Sequence, residues 1–448
     1  MAKLKFQENK YYLSLLMGTE TVRALIFCVS HIKRSKKITL LGVAEKQVDR
    51  IDEVFDILFS SGTKLSFSGN AANTSFLDEL AQAATTEAID EACESAARNL
   101  GGKNGTHKIK KGLSLFAVEL PADVVRARAF RVFYERENPG EVIKKEEEKK
   151  IFKNIREKAE QRAREFYSEE FSFPPQELQI VSYRINEISI DGYCVPRASG
   201  YKGKILEGNV LIAVLPEQYR KNVLRLIGQP GKERNTEDSL NCDFLEIIHS
   251  AETFSFAIAG KKISGIFIEV GGAWTKIFLV NEGKVFYFSA FEKAGKDFSH
   301  VISDRLGVSM KEARRLKENY SQKSLSEGAR ARMREIILPE AKAWFIELRE
   351  EIKKASEVEH NGISYKGGSL PPADIFLFGG GSYLPEVEEV IESGDWEGVI
   401  PAFPRIKFLY QKDVDDWVKD RGLKIDDLTK TIKGPKDVGI TILSYYGQ

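Results

Sequence analysis

The sequence predicts an α/β protein made of two like-folded halves that face each other across a cleft, with a smaller α+β module inserted into the first half. Three observations carry this. Between Gly265 and Phe291 the chain reads as three apolar runs joined by tight glycine turns. A second copy of that unit lies near the N-terminus, and residues 121–235 repeat nothing in the second half.

In GIFIEVGGAWTKIFLVNEGKVFYFSAF the runs of Ile, Val and Phe are separated by Gly271-Gly272 and by Asn281-Glu282-Gly283, which marks three sequential antiparallel strands. Laying Gly18 on Gly271 aligns YYLSLLMGTETVRALIFCV with it, including an apolar run before the turn, Arg23 on Lys276, and a second apolar run after it. Ile38–Val48 plays the part of Lys284–Phe291, and a helical pattern follows each trio. A repeated β-β-β-α unit in one chain implies two facing halves. Glycine turns let backbone N–H groups converge without a Cβ in the way, so two of them aimed into one cleft would clamp a phosphate chain from opposite sides.

A chain of 448 residues has room for several compact units with a sizeable core. Its net charge of +1 gives no sign of a polyanion-binding protein, so no nucleic-acid partner is expected. Cys28, Cys93, Cys194 and Cys242 lie far apart without a C-x-x-C, which argues against a zinc site or a disulfide framework and favours a reduced, cytoplasmic setting. The N-terminal stretch lacks a signal-like apolar region, and no run of about 18 apolar residues occurs. The sequons at Asn73 and Asn104 therefore carry no expectation of glycosylation.

In chain order, a polar stretch (Asp49–Asn73) leads to a helix with Leu80, Ala84, Ala88, Ala92 and Ala96 on one face and Gly101-Gly102 as its stop, suited to close packing on a sheet. Leu113–Leu120 is a short buried strand ended by Pro121. Within 121–235, a long charged helix carries Ile151, Ile155, Ala159 and Ala163 on one face and reads as a solvated helix rather than a docking surface. Two alternating strands and the helix after Pro216 follow, and the polar run from Gly228 to Asp238 reads as the linker out. The pattern Phe244–Ile258 predicts a helix with Phe244, Ile247, Ile248, Ala251 and Phe254 on one face, and His249 as a helix-surface or interdomain residue. Three helical stretches, Lys296–Arg305, Met310–Asn319 and Ala329–Ala355, come next, the last interrupted at Pro339; its stripe of Ile337, Ala341, Trp344, Leu348 and Ile352 reads as core. After a segment expected to be flexible (His360–Pro372), the strand Ile375–Phe378 runs into Gly379-Gly380-Gly381, and a helix starts after Ser382 with Pro385 in its first turn. Strand, glycine turn and helix N-terminus place ligands at the carboxyl edge of a sheet, and bare glycines leave a flat surface for a base or ribose. A strand (Ile406–Leu409) and a closing helix (Pro435–Tyr445) return the chain to the body of the fold.

With these motifs in place, the chain resembles the actin, Hsp70 and sugar-kinase superfold over almost its full length, and within it is most similar to the bacterial cell-division actin homologue FtsA. The first phosphate turn of that family is matched by Met17-Gly18-Thr19 with Val22–Ile26, the second by Glu269 to Lys276, and the adenosine motif by Gly379-Gly380-Gly381-Ser382 with Leu384-Pro385. The inserted stretch is similar to the family's extra subdomain at Asp191-Gly192, Pro196, Gly200, Gly203 and Leu206-Glu207. The pilus-assembly protein PilM also carries an insertion in this place and is the alternative. The resemblance implies a duplicated actin-like (ribonuclease H-like) ATPase fold: a first half over 1–120 with 400–448 returning to it, the insertion over 121–235, a second half over 236–295 and 360–399, and a helical subdomain over 296–359. It implies ATP binding by Gly18, Thr19, Gly271, Gly272, Thr275, Lys317, Gly379, Gly380, Gly381 and Ser382, with Glu269 as the metal residue. For partners it implies head-to-tail self-association into filaments and a tubulin-like division protein, or, on the PilM-like alternative, a partner's peptide.

The departures from the family pattern are specific. Leu16 stands where an aspartate helps hold Mg2+, Glu269 replaces a second aspartate, Trp274 a threonine, and Lys276 a third aspartate. In Ala313-Arg314-Arg315-Leu316-Lys317 the lysine is kept, but Arg314 replaces the ribose-gripping glutamate. Phosphoryl transfer depends on carboxylates that place the metal and orient water, so at most a weak ATPase is expected, with Lys276 and Arg314 meeting phosphate charge directly. The family's terminal amphipathic helix has no counterpart before Gln448, so no direct membrane anchor is expected and any recruitment to the inner membrane face would run through partners.

Overall fold

Two sheets of the same strand order lie at the centre of the computed structural model, which describes residues 10–32, 35–47, 71–101, 105–122, 124–227, 246–357 and 373–447. In the first, Ser35–Gln47, Thr21–Ile32 and Tyr11–Met17 are antiparallel, and Leu113–Glu119 and Glu246–Ile248 continue the sheet in parallel. The second repeats this with Lys284–Phe291, Thr275–Asn281, Gly265–Val270, Asp374–Phe378 and Arg405–Phe408. Leu423–Asp427 adds a parallel strand to the outer edge of the first sheet, beside Ser35–Gln47.

The repeat holds at the level of register. Leu16 pairs with Arg23 as Glu269 pairs with Lys276, and Gly18 N–H donates to Thr21 O at 2.8 Å as Gly271 N–H donates to Trp274 O at 3.0 Å. Both glycine turns are thus the same four-residue turn, set by the same alternation of apolar residues on either side.

The helix Ala71–Asn99 covers the first sheet with Ala84, Ala88, Ala92 and Ala96, all buried; the side chain of Leu80 lies outside the described residues. The approach is close enough that a Cβ on Gly42 would lie 2.2 Å from Ala92 O and 2.4 Å from Ala96 N. Here the alanine face and the strand glycine are one device, because neither tolerates added volume.

Between the sheets runs a shared aromatic core. Phe254, on the helix Ser250–Ile258, stacks on Phe278 at 4.5 Å between ring centroids and meets Phe267 edge-on at 5.0 Å. The closing helix Val438–Tyr445 buries Ile440, Leu443 and Tyr445 in the same core, beside Phe27 and Phe116 of the first sheet.

In the inserted stretch a sheet of Arg126–Glu135, Ile205–Pro216, Leu178–Ile190 and Tyr193–Cys194 packs under the helix Lys145–Phe171. Ile151, Ile155, Ala159 and Ala163 of that helix are fully buried, and a Cβ on Gly208 would lie 2.7 Å from Ile155 Cγ2, so its apolar stripe is covered by its own sheet. Asn186 reaches the second half, donating from Nδ2 to Val285 O at 3.2 Å.

Four sequence expectations need correction or addition. The pattern Phe244–Ile258 is not one helix: Glu246–Ile248 forms an edge strand, because Ile247 and Ile248 pair in parallel with Val118 and Glu119. Phe244 lies outside the described residues, as do the linker 228–238, the segment 360–372 and most of the polar stretch after Asp49. His249 is a buried helix cap rather than a surface residue, its Nδ1 accepting from Ala251 N–H at 3.0 Å. The helix Glu327–Glu357 runs through Pro339 without interruption, since the buried stripe of Ile337, Ala341, Trp344, Leu348 and Ile352 on both sides of it holds the two segments in line. The strands Arg126–Glu135 and Leu423–Asp427 and the helix Gln411–Lys419 were not legible from pattern, their residues being rich in charge.

The close approach at Gly42 gives a stability test. Gly42→Val should destabilise the protein by about 3 kcal/mol or prevent folding, because backbone atoms of the helix cannot move aside as a side chain could. Urea denaturation followed by circular dichroism measures it, and a loss below about 1 kcal/mol would show that helix and sheet are not in this contact.

Candidate functional site

The two glycine turns and the Gly379–Gly381 turn converge on a single cleft of about 570 Å³ between the sheets. That volume lies in the range of small-molecule and cofactor sites. Gly18, Thr19, Gly271, Gly272, Lys317, Gly379, Gly380, Gly381 and Glu269 all line it, so residues spread over most of the chain are brought together. Thr275 and Ser382 are not among the lining residues. Thr275 is fully buried, its Oγ1 donating to Lys293 O at 2.7 Å and accepting from Trp344 Nε1 at 2.9 Å, and Ser382 Oγ donates to Gly379 O at 2.8 Å. Both act inside their own half to fix the turns.

The adenosine side is open. Gly379 takes φ +89°, where a Cβ would lie 2.5 Å from Val270 O, whereas a Cβ on Gly380 would meet nothing within 4 Å. A 3-10 turn, Gly380–Tyr383, then leads into the helix Pro385–Ser393. Backbone and space here fit a flat ligand laid over Gly380.

The phosphate side is bridged by the protein's own groups. Thr19 Oγ1 accepts from Ala273 N–H at 2.7 Å, joining the first glycine turn to the second. Glu20, next in the first turn, accepts from Arg314 Nε at 3.1 Å and lies 3.9 Å from Lys317 Nζ, both on the helix Met310–Ser321. Lys317 Nζ also donates to Gly295 O. Burial holds the Lys317 ammonium below the usual lysine range, and Glu20 opposes that shift. Arg314, expected to face phosphate, is instead occupied by a carboxylate from the opposite wall.

Lys276 is also occupied. It sits across the hairpin from Glu269, at 3.2 Å from Oε2, and 2.9 Å from Glu119 Oε1 at the end of the facing strand. Burial pulls the Lys276 ammonium down, but the two carboxylates outweigh it and hold it above the ordinary lysine value. Burial pushes the Glu119 carboxyl up to about 7, with Glu269 adding to the push and Lys276 opposing it. Nearby His249 is kept neutral, well below its usual value, by burial and then by the positive charge of Lys276 and Arg126. Trp274 lines the cleft with Arg126 5.1 Å above its ring.

Mg2+ does not fit this donor set. Glu269, expected as its ligand, is taken by Lys276, Leu16 offers no oxygen, and among the described residues no group of three or more His, Cys, Asp or Glu side chains is placed to hold a metal ion. Sequence reasoning missed Glu20 and Glu119, which decide the character of the cleft. Glu119 left one signal, a single acid at the end of the mostly apolar run Leu113–Val118.

No family model matches the chain, and no curated protein matches it by sequence. Among solved structures, the PilM–PilN type IV pilus biogenesis complex contains a chain similar to this one with a TM-score of 0.57 at 15% identity, covering 97% of this chain and 98% of that one. This chain has the actin-like ATPase fold. Looser likenesses to other actin-like proteins include the ethanolamine utilization protein EutJ of Carboxydothermus hydrogenoformans (TM-score 0.39, 10% identity, 98% and 92% covered). MreB5 of Spiroplasma citri bound to AMPPNP is another (TM-score 0.36, 9% identity, 98% and 97% covered). No helix among the described residues is long and apolar enough to cross a membrane.

The actin-like cleft should leave a pH signature. The Glu119 carboxyl titrates at about 7 in the folded chain and about 4.5 when unfolded, so folding takes up a proton between those values. Its contribution to stability is therefore full below about 4.5 and declines as pH rises through about 7. Glu119→Gln cannot lose a proton and should flatten that decline, read as the difference between wild-type and variant melting temperatures across the window. Parallel profiles would mean that burial does not raise the Glu119 carboxyl in the folded chain.

Proposed function

We propose that this chain is an actin-fold adaptor: a protein whose halves are held together by its own side chains and which works by holding a partner's peptide, as a PilM-like protein in type IV pilus assembly, rather than by turning over nucleotide. The observation that carries this is the bridged phosphate side of the cleft, where Thr19 meets Ala273 and Glu20 meets Arg314. In a cytomotive ATPase these walls would be held apart or together by phosphate and metal. Here the contacts are internal, so the closed arrangement needs neither. The full-length likeness to the pilus protein supports the same reading.

Adenine nucleotide remains a ligand of this reading, bound weakly through the open Gly380 surface. Hydrolysis should stay near background, and a turnover of about 1 per second would overturn the proposal. Glu20→Gln should tighten nucleotide by about ten-fold, since it releases Arg314 and Lys317 to face phosphate. Gly380→Trp should abolish binding by filling the space over the turn. Titration with a labelled adenine nucleotide reads both, and unchanged affinity in the tryptophan variant would remove the cleft assignment.

A second reading is the FtsA-like one, a self-associating scaffold that recruits a tubulin-like division protein. The inserted module favours it. Asp191, at φ +47°, accepts the backbone N–H groups of Lys204 and Ile205, so the Asp191-Gly192 and Gly203 pattern that resembles FtsA builds a defined turn there. Sedimentation decides between the two. The adaptor reading expects a monomer at tens of micromolar (~10⁻⁵ M, well above the affinity of a standard interface). Nucleotide-independent assembly at that concentration, lost when 121–235 is replaced by a short Gly-Ser linker, would put the FtsA-like reading ahead.

A further inference from the structure

We propose that the Lys276 ammonium is a built-in substitute for the divalent cation of this fold: seated between Glu119 and Glu269, it excludes Mg2+ and Mn2+ from the cleft, so that whatever anion the cleft takes is bound without metal.

The argument is geometric first. Lys276 Nζ stands 2.9 Å from one carboxylate and 3.2 Å from the other, one from each half of the molecule. A hard divalent ion would need the same oxygens at about 2.0–2.1 Å for Mg2+ and would sit in the volume that the ammonium fills. The lysine cannot easily step aside. It is 8% exposed and held by strand pairing opposite Glu269, on a hairpin whose Ile277 and Phe278 are buried in the core.

Charge gives the same result. A dication brought beside a retained ammonium is repelled at close range in a poorly solvated site, and two carboxylates do not neutralise both. Among the described residues, the neighbouring groups do not make up the deficit. His249 is buried and spends Nδ1 on its own helix cap, Leu16 is apolar, and Glu20 is engaged by Arg314. The substitution also joins the halves, because the cation is delivered by the second sheet and one of its counter-ions by the first. The inference deepens the closed-cleft reading without depending on any partner: peptide capture can fail while the wild-type cleft still rejects metal.

The test uses Mn2+ and the full chain. In electron paramagnetic resonance titrations, wild-type protein should show no Mn2+ bound at Glu119 and Glu269, and its melting temperature should not move with added Mn2+ or with EDTA. Lys276→Ala leaves the two carboxylates facing each other. It should bind Mn2+ at least about ten-fold more tightly than wild type and melt higher when Mn2+ is present. The triple variant Lys276→Ala, Glu119→Gln, Glu269→Gln should lose both effects. If Lys276→Ala fails to fold even with Mn2+, the wild-type arms decide. A wild-type Mn2+ site abolished by Glu269→Gln overturns the proposal, as does a folded Lys276→Ala that gains no metal. Nucleotide affinity unchanged between Mg2+ and EDTA supports it, and Mg2+-dependent affinity overturns it. Failure of peptide binding alone leaves these readouts untouched.

Discussion

The contact on which the cleft depends is the buried ammonium of Lys276 held by one carboxylate from each half. Taking three charged groups out of water is costly, and their attraction repays that cost only if the geometry is kept. A buried ion cluster therefore acts less as a source of stability than as a constraint, since any displacement that separates the groups leaves a charge unpaired. Glu269 is fixed relative to Lys276 by hairpin register, but Glu119 arrives on a different sheet. The Lys276–Glu119 contact therefore ties the second hairpin to the strand Leu113–Glu119 of the first sheet.

The rest of the cleft follows the same principle. Each strongly basic group there meets an internal acid or carbonyl: Arg23 meets Glu45 and Asp437, Lys436 meets Glu45, and Arg314 meets Glu20. Behind the charges, the aromatic core around Phe254 draws on both sheets and on the closing helix, so the halves share one apolar interior. Hydrophobic burial gives cohesion without direction. The ion pairs supply the direction.

The architecture was legible in the chain to a large extent, and particular residues show why. Gly18 and Gly271 punctuate strands whose apolar alternation runs on both sides, and turn chemistry with alternation is local information. Elements whose residues carry mixed charge, such as Arg126–Glu135 and Leu423–Asp427, were not legible, because their strand state comes from a neighbour's pairing rather than from their own pattern. The same holds for Ile247 and Ile248, drawn out of a helical pattern by a free edge beside Val118 and Glu119.

For the site the division falls elsewhere. By itself the sequence determined the repeated hairpins, the glycine turns, the Gly379–Gly381 surface and the lack of an acid at Leu16 and Lys276, since each is written in contiguous residues. Only the tertiary structure decided what the substituted residues do. Lys276 finds Glu119 across 157 positions of chain, Ala273 finds Thr19 across 254, and Arg314 finds Glu20 across 294. A lone basic residue in a sequence reads equally well as a phosphate contact or as half of an ion pair, because charge identifies what a side chain attracts but not which opposite charge the folding of two sheets brings within 3 Å of it.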